Sequence, residues 1–418
     1  MVAIANVKIW DNKIGVILWD EMQHLGIFEF DKNFLKLGLD ISPIIMPLSE
    51  LENGKMVFSF PLLNSETFNG LPGLLSDSLP VRFGNQMIDA YFFNRGKKSH
   101  DLTPVEKLCY IGKNGIGAIE FEAFEVQNLE ISKKIEIYDL FDFVNETLII
   151  KSNSLKDNSS LFQLTTVLGG KNPKAIVGYN TKTNEFRTNI SEEFEGFEHF
   201  EHWIIKLDGI KNFENSDSKI EYAYYLMALD CGITINEGKL IQENGRSHFM
   251  TKRFDRQNNQ KIHMQSLCGL AHFDSKKSGY YSYEQVFQIM RQIRLPYSDS
   301  EEMYRRMVFN VMSRNQNDST KSISFLMFPN GKWQLSPAYG LIYSNDLNLI
   351  EHQMTVNKKT KNILLEDLLA VAKSVNIKKP KAIIDKCNEV LFNWDIYAHK
   401  AGVNTAKIRE IERELIVF

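Results

Sequence analysis

The feature that most limits what this chain can fold into is a change of hydrophobic period along its length. Near the start, Val7-Lys8-Ile9-Trp10 and Ile14-Gly15-Val16-Ile17-Leu18-Trp19 flank the turn-forming Asp11-Asn12-Lys13, which predicts a β-hairpin. Ile27-Phe28-Glu29-Phe30 predicts a third strand. From Ile220 onward the apolar residues recur at three- and four-residue spacing. Tyr222, Tyr225, Leu226 and Leu229, with Gly232 as a stop, mark a helix. Further helices are expected over 283–294, 301–313, 364–372 and 380–394. A β-rich front and a helical rear define an α+β chain.

At 418 residues that pattern needs more than one core. Three units are expected, at 1–105, 106–235 and 236–418. Thr103-Pro104-Val105-Glu106 reads as a capping box that opens a short helix, and Lys113 to Ala118 follows as a loop. Ser152 to Ser160 is the most linker-like stretch, after which a strand pattern is expected from Leu161 to about Asp208. A net charge of −3 and a pI near 6.3 argue against an extended nucleic-acid surface. No apolar run approaches a membrane span, and the first residues lack the marks of a signal peptide, so a cytoplasmic protein is expected. Cys109, Cys231, Cys268 and Cys387 are far apart in sequence and are expected as isolated buried thiols.

Five segments are candidates for chemistry. Leu168-Gly169-Gly170-Lys171-Asn172-Pro173-Lys174-Ala175 has glycines that can aim N–H groups at an anion, with lysines to add charge, but taken alone it is more in keeping with a plain surface hairpin. Lys206 lies in the apolar run Trp203-Ile204-Ile205-Lys206-Leu207. It is either a phosphate-holding lysine on a central strand or an edge lysine that reaches solvent. Arg253-Phe254-Asp255-Arg256 and His263-Met264-Gln265 are expected as an internal ion pair and a satisfied histidine. Arg314-Asn315-Gln316-Asn317-Asp318-Ser319-Thr320-Lys321-Ser322 is a polar loop between two apolar elements. A loop there suits a kinase catalytic loop or a plain solvated connection. A hairpin turning at Pro329-Asn330-Gly331-Lys332 and the segment Ser336-Pro337-Ala338-Tyr339-Gly340 come next.

These segments, with Tyr281 to Gln285, Val308 to Asn310, His352-Gln353-Met354 and the front stretch Gly70 to Pro80, resemble the HipA family in order from about residue 5 to 405. The resemblance implies a two-lobed fold distantly like protein kinases. It implies a Ser/Thr kinase toxin of a bacterial toxin–antitoxin pair, with ATP and Mg²⁺ as cofactors. Characterised members phosphorylate aminoacyl-tRNA synthetases, and their partner is a small helix-turn-helix antitoxin of HipB type that binds operator DNA.

Carried over residue by residue, Gly169, Gly170 and Lys174 fall on the phosphate loop, Lys206 on the ATP lysine, and Glu221 on the glutamate that pairs with it. The regulatory serine of some members falls near Val167, beside Thr165 and Thr166. The chemistry itself departs from the family pattern. The catalytic base Asp is Asn317, the motif histidine is Ser319, and the two magnesium ligands, an Asn and an Asp, are Ser322 and Gly340. An amide accepts no proton at neutral pH, and losing a general base costs about 10²–10⁴ in rate. Asp318 and Asp346 are the carboxylates available as substitutes. The leading expectation is an inactive or impaired pseudokinase with doubtful metal binding that acts through an antitoxin or other partner. The rival is an active kinase toxin.

Overall fold

The computed structural model of the protein describes residues 3–93, 102–123, 132–147, 159–166, 172–188, 190, 195–208, 217–344 and 351–418. The expected hairpin forms from β1 (Ile4–Ile9) and β2 (Asn12–Asp20). Ala5, Val7 and Ile9 alternate inward from β1, as a half-buried strand requires. Its turn lies one residue earlier than expected, at Trp10 and Asp11, both with positive φ. A bulky residue is strained there, and the Trp10 indole is anchored by donating to the Lys261 carbonyl at 2.7 Å. β3 (Leu25–Phe30) and the short β4 (Val57–Phe58) extend the sheet, and β5 (Ile119–Ala123) pairs on β1. β5 lies beyond residue 105 yet forms the edge of this sheet beside β1. Around it lie α1 (Leu48–Glu52), α2 (Ser65–Phe68), α3 (Gly73–Ser76), α4 (Arg82–Phe93) and α5 (Pro104–Ile111). The Thr103–Glu106 capping box at the start of α5 is reciprocal, as the sequence predicts.

The second sheet has the order β10-β11-β9-β7-β8-β6. Its strands are β6 (Lys134–Ile135), β7 (Lys174–Asn180), β8 (Glu185–Arg187), β9 (Glu201–Lys206), β10 (Gly238–Glu243) and β11 (Arg246–Lys252). One face packs with α6 (Ile137–Asn145) and α7 (Ser159–Thr166) in a core that includes Phe83, Met87, Leu140, Phe162, Trp203 and Ile205. α7 corrects the strand pattern expected from Leu161. Leu161, Phe162, Leu164 and Thr165 are buried at spacings that suit one helix face. Of the expected linker, 152–158 lie outside the described residues, while Ser159 and Ser160 open α7. The other face of the sheet carries α8 (Asp217–Asp230).

The rear comprises two short strands, β12 (Arg256–Gln257) and β13 (Gln260–Lys261), then β14 (His263–Ser266), α9 (Leu267–Ala271), α10 (Tyr283–Gln292) and α11 (Tyr297–Met312). β15 (Ser324–Met327) and β16 (Trp333–Leu335) complete a three-stranded sheet with β14. α12 (Leu365–Ser374), α13 (Pro380–Phe392), α14 (Trp394–Lys400) and α15 (Thr405–Glu412) follow. The result is the two-lobed α+β architecture expected. One continuous core joins the first sheet to the rear helices, from Val7 and Phe28 to Phe309, Trp394 and Ile411. Among the described residues no helix is long and apolar enough to cross a membrane.

Two expectations about buried groups change. All four thiols are free, but Cys109 is only half-buried, and Cys231 and Cys387 lie near enough, where the end of α8 meets α13, to act on each other's ionisation. His263 is not satisfied: neither ring nitrogen has a partner among the described residues, and the ring packs edge-on to Trp333. Burial pushes its pKa down to about 4, so it is neutral at pH 7.

The front and rear are tied by polar groups as well as by core. Asp255 accepts from both Arg253 and Arg256 and from the Gly117 N–H, while both guanidiniums donate to the Gly115 carbonyl. Burial alone would raise the Asp255 carboxyl, but the two arginines outweigh it and hold it well below the usual range. Gly73 and Gly269 let α3 approach α9, since a Cβ on Gly73 would collide with the Gly269 carbonyl. Asp255→Ala leaves two buried guanidiniums without their anion and should cost about 3–5 kcal/mol in urea unfolding. Because the folded carboxyl titrates below its unfolded value, the loss should be complete above about pH 5 and shrink on acidification. An unchanged midpoint would show that the cluster contributes nothing.

Candidate nucleotide site

Strand alternation decides where Lys206 points. Trp203 and Ile205 enter the core on one face of the sheet, so Ile204 and Lys206 face the side that carries α8. β9 lies between β11 and β7, so Lys206 is on a central strand and the edge-strand alternative falls away. An ammonium so placed needs an anion, and Glu221 on α8 supplies it in a direct ion pair. Lys174 is the cross-strand neighbour of Lys206 on β7 and shares its face. Burial first, and then the like charge of Lys206, push Lys174 down to about 7, with Glu221 opposing. Two lysines thus face one carboxylate, Lys206 in a direct ion pair and Lys174 beside it and only partly charged at pH 7. Gly169 and Gly170 lie outside the described residues. So does Val167, while the Thr165 hydroxyl is buried and donates back to the Leu161 and Phe162 carbonyls.

α8 also reaches the polar loop. The Asp208 carboxylate accepts from the Ser218 N–H at 3.1 Å and caps the first turn of α8. Tyr224, one turn along the helix from Glu221, donates to the Ser313 carbonyl at 2.6 Å. Arg314 follows with φ 58° and turns the chain into the loop. The loop is held from within the rear core. Asn315 donates to the Asn310 side chain, and Asn310 donates to the Tyr283 hydroxyl. Tyr283 in turn donates to Asp318 at 2.8 Å. Asp318 also pairs with His352 Nδ1 at 2.9 Å and accepts from the Gln353 N–H at 2.8 Å. It is buried, and its carboxylate is fully engaged in holding the loop. Lys321 reaches forward to Asp77, which also accepts from the N–H and hydroxyl of Ser266.

The positions that should carry phosphoryl chemistry are arranged differently. Asn317 is exposed, its N–H donates to Ser344 Oγ at 2.9 Å, and its carbonyl accepts from the Ser322 hydroxyl at 3.0 Å. The Ser319 hydroxyl accepts from the Lys321 N–H. Gly340 is exposed with φ +64°, and a Cβ there would meet nothing within 4 Å among the described residues. Asp346 lies outside the described residues. Among the described residues no three His, Cys, Asp or Glu side chains converge to hold a metal ion. Mg²⁺ prefers anionic oxygens, and neither the Ser322 hydroxyl nor Gly340 supplies one.

The sequence reading missed the roles of Tyr224, Tyr283, His352 and Asp77. Tyr283, His352 and Asp77 stand in family-like segments, which gave no partner for any of them; the partners of Asp77 lie 189 to 244 residues away. Nothing local pointed to Tyr224, because its partner lies 89 residues away.

Residues 5–122 match the HipA N-terminal domain and residues 166–394 match the HipA-like C-terminal domain. The chain therefore belongs to the HipA family, the toxin family of a toxin–antitoxin system. Among solved structures it is similar to the HipA of Shewanella oneidensis MR-1, solved in complex with HipB and operator DNA. That match has 17% identity, covers 98% of this chain and 95% of that chain, and has a TM-score of 0.69. A second likeness, to the Helicobacter pylori proinflammatory kinase CtkA, has 11% identity, covers 51% of this chain and 88% of that one, and its TM-score of 0.34 carries no argument. No curated protein sequence matches the chain.

Lys174 makes the site sensitive to pH. Its pKa is about 7 in the fold against an ordinary 10.5, so between these values the unfolded chain binds more protons. The cost of burying this lysine is therefore greatest below pH 7 and fades as pH rises towards 10.5. Lys174→Met should stabilise the protein at pH 7, and the gain should shrink by about pH 10 in urea unfolding. A gain that is the same at both pH values would contradict the assignment.

Proposed function

We propose that this HipA-family protein keeps a nucleotide-binding kinase fold for binding and has lost, or nearly lost, phosphoryl transfer. The observation that carries the reading is the metal side of the site. The Ser322 hydroxyl is committed to the Asn317 carbonyl, and Gly340 has no side chain. Kinases neutralise the transferred phosphoryl group through metal ions held at such positions. Asn317 adds the loss of a base, worth about 10²–10⁴ in rate. Asp318 is a poor substitute, because its three hydrogen bonds would have to be broken to free it. The lysine side is intact by contrast. Lys206 with Glu221, and Lys174 beside them, support binding of ATP phosphates, with Gly169 and Gly170 as the adjoining loop.

Phosphate incorporation from radiolabelled ATP tests the reading. The unmodified protein should incorporate little or none. Asn317→Asp, Ser322→Asn and Gly340→Asp together should raise incorporation far more than any single change, because base and metal act as one unit. The positive φ at 340 strains the new Asp by about 1 kcal/mol, and the open space there leaves room for it. Turnover near 1 s⁻¹ by the unmodified protein, roughly ordinary for a kinase, would end the proposal.

The partner on this reading is a HipB-type helix-turn-helix antitoxin, which makes the DNA contacts. The Shewanella HipA was solved with HipB and its operator, and the net charge of −3 here suits leaving DNA to another chain. The isolated protein should show no specific operator binding at physiological salt in a mobility-shift assay, and should join the complex only when the antitoxin is present. Specific binding by the protein alone would refute this division of labour.

A further inference from the structure

The last helix, α15, lies beyond the matched C-terminal domain, which ends at residue 394. It is nonetheless built against the loop that ends α11. The Ile416 N–H donates to the Met312 carbonyl at 2.8 Å, and Arg314 approaches Glu414 at 3.8 Å. On its inner face α15 carries Lys407, only 7% exposed. The ammonium bonds Glu410 at 2.6 Å and lies 5.5 Å from the centre of the Tyr343 ring. Tyr343 closely follows Gly340, and its neighbour Ser344 accepts from the Asn317 N–H. Lys407 also acts electrostatically on Asp217 at the start of α8, whose carboxylate accepts from the Asn172 amide at 3.5 Å. Asn172 adjoins the glycine loop. One buried lysine therefore lies beside the segment that follows Gly340 and acts on the first turn of α8, the helix that carries Glu221.

Lysines are seldom buried unless paired. Here the paired carboxylate, Glu410, is half exposed and on the same helix, so it can swing into water when a stronger anion arrives. We propose that Lys407 is a phosphate-contacting residue of the nucleotide site, placing a fixed positive charge beside the terminal phosphates of a nucleoside triphosphate. In a kinase a metal ion supplies charge at that end of the nucleotide. Here the cation is covalently part of the chain, which removes the need for the missing ligands at 322 and 340. The proposal rests on the nucleotide-site reading above.

Calorimetry of the full chain in excess chelator tests it, with ATP and adenosine as the two ligands. Lys407→Met should weaken ATP binding by about tenfold or more, the loss expected for a charge-assisted phosphate contact, and leave adenosine binding unchanged. Lys407→Arg should keep most of the ATP affinity. Glu410→Gln removes the competing carboxylate and should tighten ATP binding severalfold. Its expected gain guards against a Lys407→Met protein that merely misfolds. ATP binding by Lys407→Met equal to the unmodified chain would overturn the proposal. So would equal loss of ATP and adenosine in a folded Lys407→Met protein, or unchanged or weaker ATP binding in Glu410→Gln. If the unmodified chain bound neither ligand, the nucleotide site itself would fall, and Lys407's role with it.

Discussion

The ion pair between Lys206 and Glu221 is the interaction on which the rest of this arrangement depends. An ammonium on a central strand with core on both sides is costly unless an anion meets it. Glu221 meets it from α8, and that requirement fixes the rotation of α8 about its own axis. The same helix then places Tyr224 on the Ser313 carbonyl and offers Asp230 to the Tyr397 hydroxyl. One charge pair thus aligns the second sheet, α8 and the start of the polar loop. Lys174 adds a second amine to the same face, and burial with the like charge of Lys206 pushes its pKa down to about 7, so it is only partly charged at neutral pH.

The polar loop shows how a shape is kept without the reactive groups that the family pattern places on it. Its geometry comes from a buried chain of hydrogen bonds through Asn315, Asn310, Tyr283, Asp318 and His352. Each of these groups is buried, so each donor or acceptor left open would cost about 1–3 kcal/mol. The network is therefore constrained by stability whether or not the loop catalyses anything. Asn317, Ser322 and Gly340 are outside it and more exposed, and changes there cost the fold little. That difference in burial separates the positions that have departed from the family pattern from those that still follow it.

Attachment between the lobes has the same character. Asp77 at the end of α3 serves both Ser266 and Lys321, and Asp255 gathers two arginines and the Gly117 amide. Both carboxylates stand where chain segments distant in sequence meet, and each satisfies several donors at once. Front and rear are thus joined by directional contacts in addition to a shared apolar core.

The sequence by itself determined the elements whose cause is local. Alternation in Val7 and Ile9 made a strand and Thr103 with Glu106 made a reciprocal cap, while the expected helix from Ile220 formed with Glu221, Tyr224, Tyr225 and Ala228 buried and Leu229 of the expected stripe exposed. The departures at Asn317, Ser322 and Gly340 were also legible, because they are differences of residue type at positions placed by family resemblance. α7 was misread because Leu161 to Thr165 is a short apolar run, and helix and strand cannot be told apart there by period alone. What the tertiary structure decided is which distant groups meet. Cys231 and Cys387 are far apart in the chain yet act on each other's ionisation, and Asp318 is committed to Tyr283 and His352 instead of standing free as a base. Lys407 comes from a helix with no family signal to lie beside Tyr343. Such contacts depend on how helices and sheets pack, and no short local pattern carries that information.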